Sequence, residues 1–191
     1  MDFYDKKKVG KLIAWGGDHF VHDYDTDKVI KFSFLDFFLG QKARGEEMAE
    51  YYICKKFFGE YVLATTIVAS PNKKRIAFIQ PKVTGHFLSL QDLKHEVVRK
   101  QFKEIMDGYF ALIRAGNSPI DLIGRAGAFS KRMSNIFVTD DYKLVIVEIT
   151  LLDITTQSVL LQPFLFVIWG LAIPCQNYII ESFLSEMVKY E

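Results

Sequence analysis

The chain has few of the residues that build disulfide frameworks and zinc sites. Its two cysteines, Cys54 and Cys175, do not form a Cys-x-x-Cys pair, and its four histidines do not cluster at metal-ligand spacing. A disulfide framework and a zinc site are therefore not indicated. A reducing compartment fits this cysteine usage, so the expected location is the cytoplasm.

The chain also lacks a strong charge of either sign. The 24 lysines and arginines balance 23 aspartates and glutamates, which leaves a net charge of +1. This balance gives no general attraction to nucleic acid or to an anionic membrane. The basic residues between 90 and 115 are interleaved with Glu96 and Glu104, which is typical of a solvated helix face. Nucleic acid is not an expected partner.

Long hydrophobic runs are scarce as well. The N-terminus is polar and has no apolar segment of the kind found in signal peptides. Residues 159–173 are strongly apolar, but Pro163 and Pro174 bracket only about ten residues, whereas a membrane-spanning helix needs roughly 20. A buried core helix is expected here, and a membrane anchor is the alternative.

What is present is core material in a mixed helix and strand pattern. Half of the residues are hydrophobic, enough for one compact unit or for a domain with a small second lobe. The patterns predict an α+β fold with a mostly antiparallel sheet of about five strands. The predicted strands cover 10–15, 20–32 with a turn at 23–27, 61–69 and 75–80, and the predicted helices cover 40–58, 90–113 and 176–189.

Several residues suited to polyphosphate chemistry follow one another in a fixed order. Gly16 and Gly17 break a hairpin, and glycine lets backbone N–H groups approach phosphate closely. Lys31 ends an apolar strand and can neutralise phosphate charge. Glu50 follows 19 residues later on a helix and can hold the lysine, with Glu46 and Glu47 as substitutes.

The second half of the series offers hard oxygen ligands. Asn135 precedes a predicted hairpin, and Glu148 ends its second strand 13 residues later. Amide and carboxylate oxygens are ligands that magnesium accepts. These residues also have structural interpretations that need no ligand. Asn135 can cap a turn locally, and a glycine pair often forms only a tight turn.

This order of residues resembles the protein-kinase-like superfamily, including its short bacterial and aminoglycoside-phosphotransferase-like members, over roughly residues 8–153. The resemblance implies a two-lobed fold, with a small nucleotide-binding lobe at 1–80 and a reduced, mainly helical large lobe at 81–191.

The resemblance also implies ATP and magnesium as cofactors, and a phosphotransferase acting on a hydroxyl of a protein or a small molecule. Lys31, held by Glu50, would contact the phosphates together with Gly16 and Gly17. Gln80 would begin the hinge that receives the adenine. Asn135 and Glu148 would bind the metal.

Two departures from the family pattern bear on catalysis. The family has an aspartate five residues before the asparagine, where this chain has Ser130. The nearest upstream carboxylate is Asp121, which is the predicted catalytic base and, alternatively, a turn residue. Glu148-Ile149-Thr150 stands where protein kinases have Asp-Phe-Gly. A pseudokinase that binds nucleotide or acts as a scaffold is therefore the second interpretation.

Overall fold

A computed structural model describes residues 4–15, 19–33, 41–70, 75–124, 131–152 and 162–190, with backbone alone for Trp15, 41–46 and 162–170. The chain divides into two compact units. The first unit contains Met1–Ala49 and Leu63–Lys82, and the second contains Glu50–Val62 and Val83–Glu191. The predicted assignment of these parts to kinase-like lobes stays a prediction.

The first unit is built on a five-stranded antiparallel sheet, as the alternating apolar pattern predicts. Its strands are β1 Val9–Trp15, β2 His19–Tyr24, β3 Lys28–Ser33, β4 Thr66–Ala69 and β5 Ile76–Pro81. Their order across the sheet is β1-β2-β3-β5-β4, which places β3 at the centre. The α+β class and the five-stranded antiparallel sheet are confirmed.

Three α-helices lie in the described part of the chain: α1 Gln41–Phe58, α2 Glu96–Arg114 and α3 Gln162–Val188. The second unit contains the end of α1, all of α2 and α3, and a three-stranded antiparallel sheet. The strands of that sheet, in the order β6-β7-β8, are β6 Gly85–Leu88, β7 Met133–Thr139 and β8 Leu144–Ile146. The predicted hairpin is formed by β7 and β8, but Asn135 lies within β7 and β8 ends two residues before Glu148.

The core of the second unit is formed by apolar stripes. Phe102, Ile105 and Leu112 face inward from α2 at helical spacing, and Phe183 joins them from α3. Burying a phenylalanine of this kind contributes about 1.5–3 kcal/mol. This core holds β7, which carries Asn135, and β8, which ends just before Val147 and Glu148.

A break precedes α2, where the sequence predicts one helix from residue 90. A short 3₁₀ segment, Leu90–Lys94, ends at His95 and α2 begins at Glu96. The carboxylate of Asp92 accepts hydrogen bonds from Ser89 N (2.8 Å) and Oγ (2.7 Å) and from His86 Nε2 (2.7 Å). Burial raises the pKa of Asp92, but these hydrogen bonds outweigh burial and hold it below its ordinary value.

Two other expectations need correction. Residues 61–69 are strand only over Thr66–Ala69, and Tyr61 belongs to the 3₁₀ turn Gly59–Tyr61. Pro174 does not separate two helices but lies inside the continuous helix α3. No helix within the described ranges is long and apolar enough to span a bilayer.

Candidate functional site

Polar side chains in the first unit gather on one face of its sheet. Residues directly opposite each other in an antiparallel ladder point to the same face. Lys31 lies opposite Val21 and Phe78, and Gln80 lies opposite Val29. Lys31 is 8% exposed and Gln80 is 5% exposed. A buried lysine costs desolvation free energy, so its place on this face calls for a compensating interaction.

Two further buried polar residues lie on the same face. Ser33 follows Lys31 by two positions, and His19 lies opposite Ser33. The ring of His19 meets that of Phe78 edge-on, with 5.6 Å between the ring centroids. The opposite face carries the apolar core of this unit, built around Ile30. The sheet therefore has one apolar face and one face rich in buried polar groups.

An acid from α1 reaches this polar face. Ser33 Oγ donates a hydrogen bond of 2.6 Å to Glu47 Oε1. Ser33 and Lys31 lie on the same face of β3, so this contact holds the Glu47 carboxylate beside the lysine strand. The sequence names Glu50 as the partner of Lys31 and Glu47 only as a substitute. The predicted pairing of Lys31 with Glu50 stays a prediction.

A short hydrogen-bond chain orients Gln80. Thr65 Oγ1 donates to the carbonyl oxygen of Leu63 at 2.8 Å, and Gln80 Nε2 donates to Thr65 Oγ1 at 2.9 Å. Among the described residues, Gln80 Oε1 is buried and accepts no hydrogen bond.

In the second unit, Asp121 opens a tight turn. Its Oδ1 accepts hydrogen bonds from Ile123 N (3.1 Å) and Gly124 N (2.9 Å). Its backbone N–H donates to Thr150 O at 2.8 Å. The turn interpretation of Asp121 therefore describes its local geometry, and the same contacts fix the direction of the carboxylate. Its assignment as a base stays a prediction.

Asn135 is bonded to this turn. Its Nδ2 donates to Asp121 O at 2.8 Å, and its backbone N–H donates to Leu122 O at 3.2 Å. Because Nδ2 is engaged, Oδ1 is the group that Asn135 has left to act as a ligand.

Glu148 is brought to the same region by its neighbour. Val147 N donates to Asn135 O at 3.0 Å, and Glu148 is the next residue. The second unit thus gathers Asp121, Asn135 and Glu148, which lie 14 and 13 residues apart along the chain. Their roles in binding metal or accepting a proton stay predictions.

Two residues outside the predicted set of site residues hold this arrangement. Gly124 has φ +57°, and a Cβ there would lie 2.9 Å from Asn135 Oδ1. Gln176 is fully buried on α3. It accepts from Leu122 N (2.8 Å) and donates to Ile120 O (2.9 Å) and Tyr109 Oη (3.1 Å). A polar residue in an apolar helix stretch was the available signal for Gln176.

The oxygen ligands that Asn135 and Glu148 offer suit magnesium. Within the described ranges, no group of three or more His, Cys, Asp and Glu side chains gathers as a metal site. Magnesium usually takes one or two protein oxygens and completes its shell with phosphate oxygens and water. One amide and one carboxylate, Asn135 and Glu148, match that pattern.

The remaining predicted residues are two glycines, a serine and Glu50. Gly16, Gly17 and Ser130 fall outside the described residues. Glu50 lies on α1, one turn before Cys54. Burial raises the pKa of the Cys54 thiol to about 12, and the charge of Glu50 adds to this rise.

The chain has matches among solved structures but none among family models or curated proteins. No family model matches the chain, and no curated protein matches it. Among solved structures, PpkA-294 in its apo form is similar, with a TM-score of 0.48 and 11% identity, covering 78% of this chain and 60% of that one. The chain thus spans less than two thirds of that structure. A similarity of this size assigns neither a family nor an activity.

Proposed function

We propose that the chain is a kinase-like phosphotransferase that binds ATP with magnesium and transfers the γ-phosphoryl group to a hydroxyl. The observation that carries the proposal is the hydrogen-bonded arrangement of Asp121 and Asn135, with Glu148 following the residue bonded to Asn135. It brings a candidate base and two oxygen ligands into one unit. The buried Lys31 supplies the cation that phosphate binding needs.

Each side chain has one task in this proposal. Lys31 neutralises phosphate charge, with an acid of α1, Glu47 or Glu50, to position it. Asn135 Oδ1 and the Glu148 carboxylate would hold magnesium, which would offset the negative charge of the transferring phosphate. Asp121 accepts the proton of the acceptor hydroxyl. That oxygen forms a bond to the γ-phosphorus as the bond from phosphorus to the bridging oxygen breaks and ADP leaves.

Nucleotide binding is tested by thermal shift with Mg-ATP. A ligand that binds only the folded state adds about 2.7 kcal/mol of stability at 100 times its dissociation constant. Lys31→Met should reduce this stabilisation, because methionine fills similar space without the charge. Lys28→Met is the matched control, since Lys28 is exposed on the same strand. Absence of any shift with millimolar Mg-ATP would contradict the proposal.

Catalysis is tested by turnover of Asp121→Asn. Asparagine Oδ1 can still accept the two turn hydrogen bonds, so the fold should be kept. Loss of the proton acceptor should lower turnover by roughly 10²–10⁴-fold while Mg-ATP binding persists. Asp107→Asn, an exposed aspartate paired with Lys103, is the control. Full turnover in Asp121→Asn would place the base elsewhere.

One observation favours a second candidate, the pseudokinase. Asp121 Oδ1 accepts from two backbone N–H groups, a role that a turn aspartate fills without catalysis. A pseudokinase would bind Mg-ATP but transfer no phosphate to added acceptors or to water. Binding and turnover measured on the same preparation decide between the two candidates.

A further inference from the structure

We propose that the exposed face of α3 around Leu171 and Tyr178 binds an anionic lipid surface, with Lys131 and Arg132 contacting the lipid headgroups. The four residues all belong to the second unit. The proposal is independent of nucleotide binding and adds an interaction surface to the proposed function.

One side of α3 packs into the core of the second unit, and the opposite side stays accessible. Ile179 and Phe183 are buried in that core. Leu171, Pro174 and Tyr178 are exposed and follow one another at spacings of three and four residues, so they share the other side of the helix. Leu171 is 71% exposed and Tyr178 is 57% exposed. These three residues form an apolar stripe on the surface.

The apolar stripe belongs to an uncharged part of α3. From the start of the helix at Gln162 to Ile180 there is no acidic residue, no basic residue and no histidine. The first charged residue of α3 is Glu181, which is exposed one turn beyond Tyr178 and marks the end of the stripe. Because the opposite side of the helix packs on protein, the stripe suits a helix that lies along a bilayer surface.

Two cations flank the apolar stripe and favour lipid over protein as its partner. Lys131 and Arg132 are exposed, and Lys131 Nζ lies 5.9 Å from the centroid of the Tyr178 ring. Interfacial helices combine an apolar face with lysine, arginine and tyrosine at its edge, where the charges meet anionic headgroups. Each such cation near an anionic membrane strengthens binding about fivefold. The core of a protein–protein interface, by contrast, is depleted in lysine.

Co-sedimentation of the full chain with lipid vesicles, in the absence of nucleotide, tests the proposal. Vesicles of phosphatidylcholine mixed with phosphatidylglycerol should bind the chain roughly 25-fold more tightly than vesicles of phosphatidylcholine alone, because two cations contribute. The difference should shrink as salt is raised, since salt screens exposed charges. Absence of binding to the mixed vesicles would overturn the proposal and leave the proposed function standing.

Apolar variants locate the surface on α3. Leu171→Gln should weaken binding to the mixed vesicles roughly tenfold, because it removes an apolar side chain from the bilayer. The matched control is Leu12→Gln, at a leucine of the first unit that is 50% exposed, and it should bind as the wild type does. Both side chains are exposed, so both variants should fold. Wild-type binding by Leu171→Gln would show that the stripe is not the docking surface.

Charge variants test the contact with headgroups. Lys131→Gln combined with Arg132→Gln should lower binding to the mixed vesicles to the level seen with phosphatidylcholine alone. Lys100→Gln combined with Lys103→Gln makes the same change of charge at two exposed lysines of α2 and should keep the preference. An equal loss in both double variants would mean that only total charge matters and would contradict the proposal.

A second copy of the chain is the other occupant that an apolar helix face can take. Light scattering would then show a dimer that Leu171→Gln converts to a monomer, and neither form would bind vesicles. That result would replace the lipid surface with a dimer interface. The comparison of the two vesicle types with the wild-type chain decides the question even where a variant fails to fold.

Discussion

Gly124→Ala tests whether the turn that begins at Asp121 is in tight contact with the side chain of Asn135. A non-glycine residue in the left-handed region costs about 1–2 kcal/mol. Gly59 has φ +55°, close to the +57° of Gly124, but a Cβ at Gly59 would have nothing within 4 Å. Gly59→Ala therefore measures the backbone strain alone.

Gly124→Ala has a steric cost in addition to the backbone strain. Its Cβ would lie 2.9 Å from Asn135 Oδ1, closer than real Cβ contacts. The side chain of Asn135 can move away only by disturbing the hydrogen bond that its Nδ2 donates to Asp121 O. Losing one such hydrogen bond costs about 0.5–1.5 kcal/mol. We expect Gly124→Ala to lower the free energy of unfolding by about 2–3 kcal/mol, and Gly59→Ala by about 1–2 kcal/mol.

Urea denaturation of a double-mutant cycle checks the reasoning. In an Asn135→Ala background the clash is absent, so Gly124→Ala should cost only the backbone strain. The coupling between the two positions should be about 0.5–1.5 kcal/mol, in the range found for residues in contact. Additive effects of the two substitutions would refute the proposed contact between Gly124 and Asn135.

Three other predictions concern residues outside that contact. Gln176→Leu should lower the free energy of unfolding by about 2–5 kcal/mol in urea denaturation, because it leaves Leu122 N–H and the Ile120 carbonyl without their partner. The control Asn177→Leu changes an exposed neighbour and should alter the free energy of unfolding by under about 0.5 kcal/mol. The pKa of Asp92 is lowered in the folded state, so its carboxylate stabilises the protein at pH values above the unfolded-state pKa of about 3.9. This stabilisation is lost as the pH falls through the folded-state pKa. Asp92→Asn should remove that part of the acid dependence. Cys54, with its raised pKa and full burial, should react with iodoacetamide more slowly than Cys175 in peptide mapping by mass spectrometry.

The sequence by itself determined the element types and their approximate order. Alternating apolar residues predict β2, β3 and β5, and the 3.6-residue apolar spacing predicts α2, because burial of one face dictates both periods. The sequence could not settle where the strand within residues 61–69 begins or what role Pro174 has. The sequence alone does not distinguish a proline at the start of a helix from a proline inside one. Only the structure shows that α3 continues through Pro174.

Only the tertiary structure decided which distant residues share a site. Lys31 and Gln80 are 49 residues apart in sequence, and the pairing of β3 with β5 alone places them on one face. Asn135 meets Asp121 because the turn hydrogen bonds and Gln176 fix the loop, and no local pattern carries that information. The same holds for the contact between Ser33 and Glu47, which joins β3 to α1. Strand register and long-range hydrogen bonds depend on the whole fold, so they follow from packing rather than from neighbours in sequence.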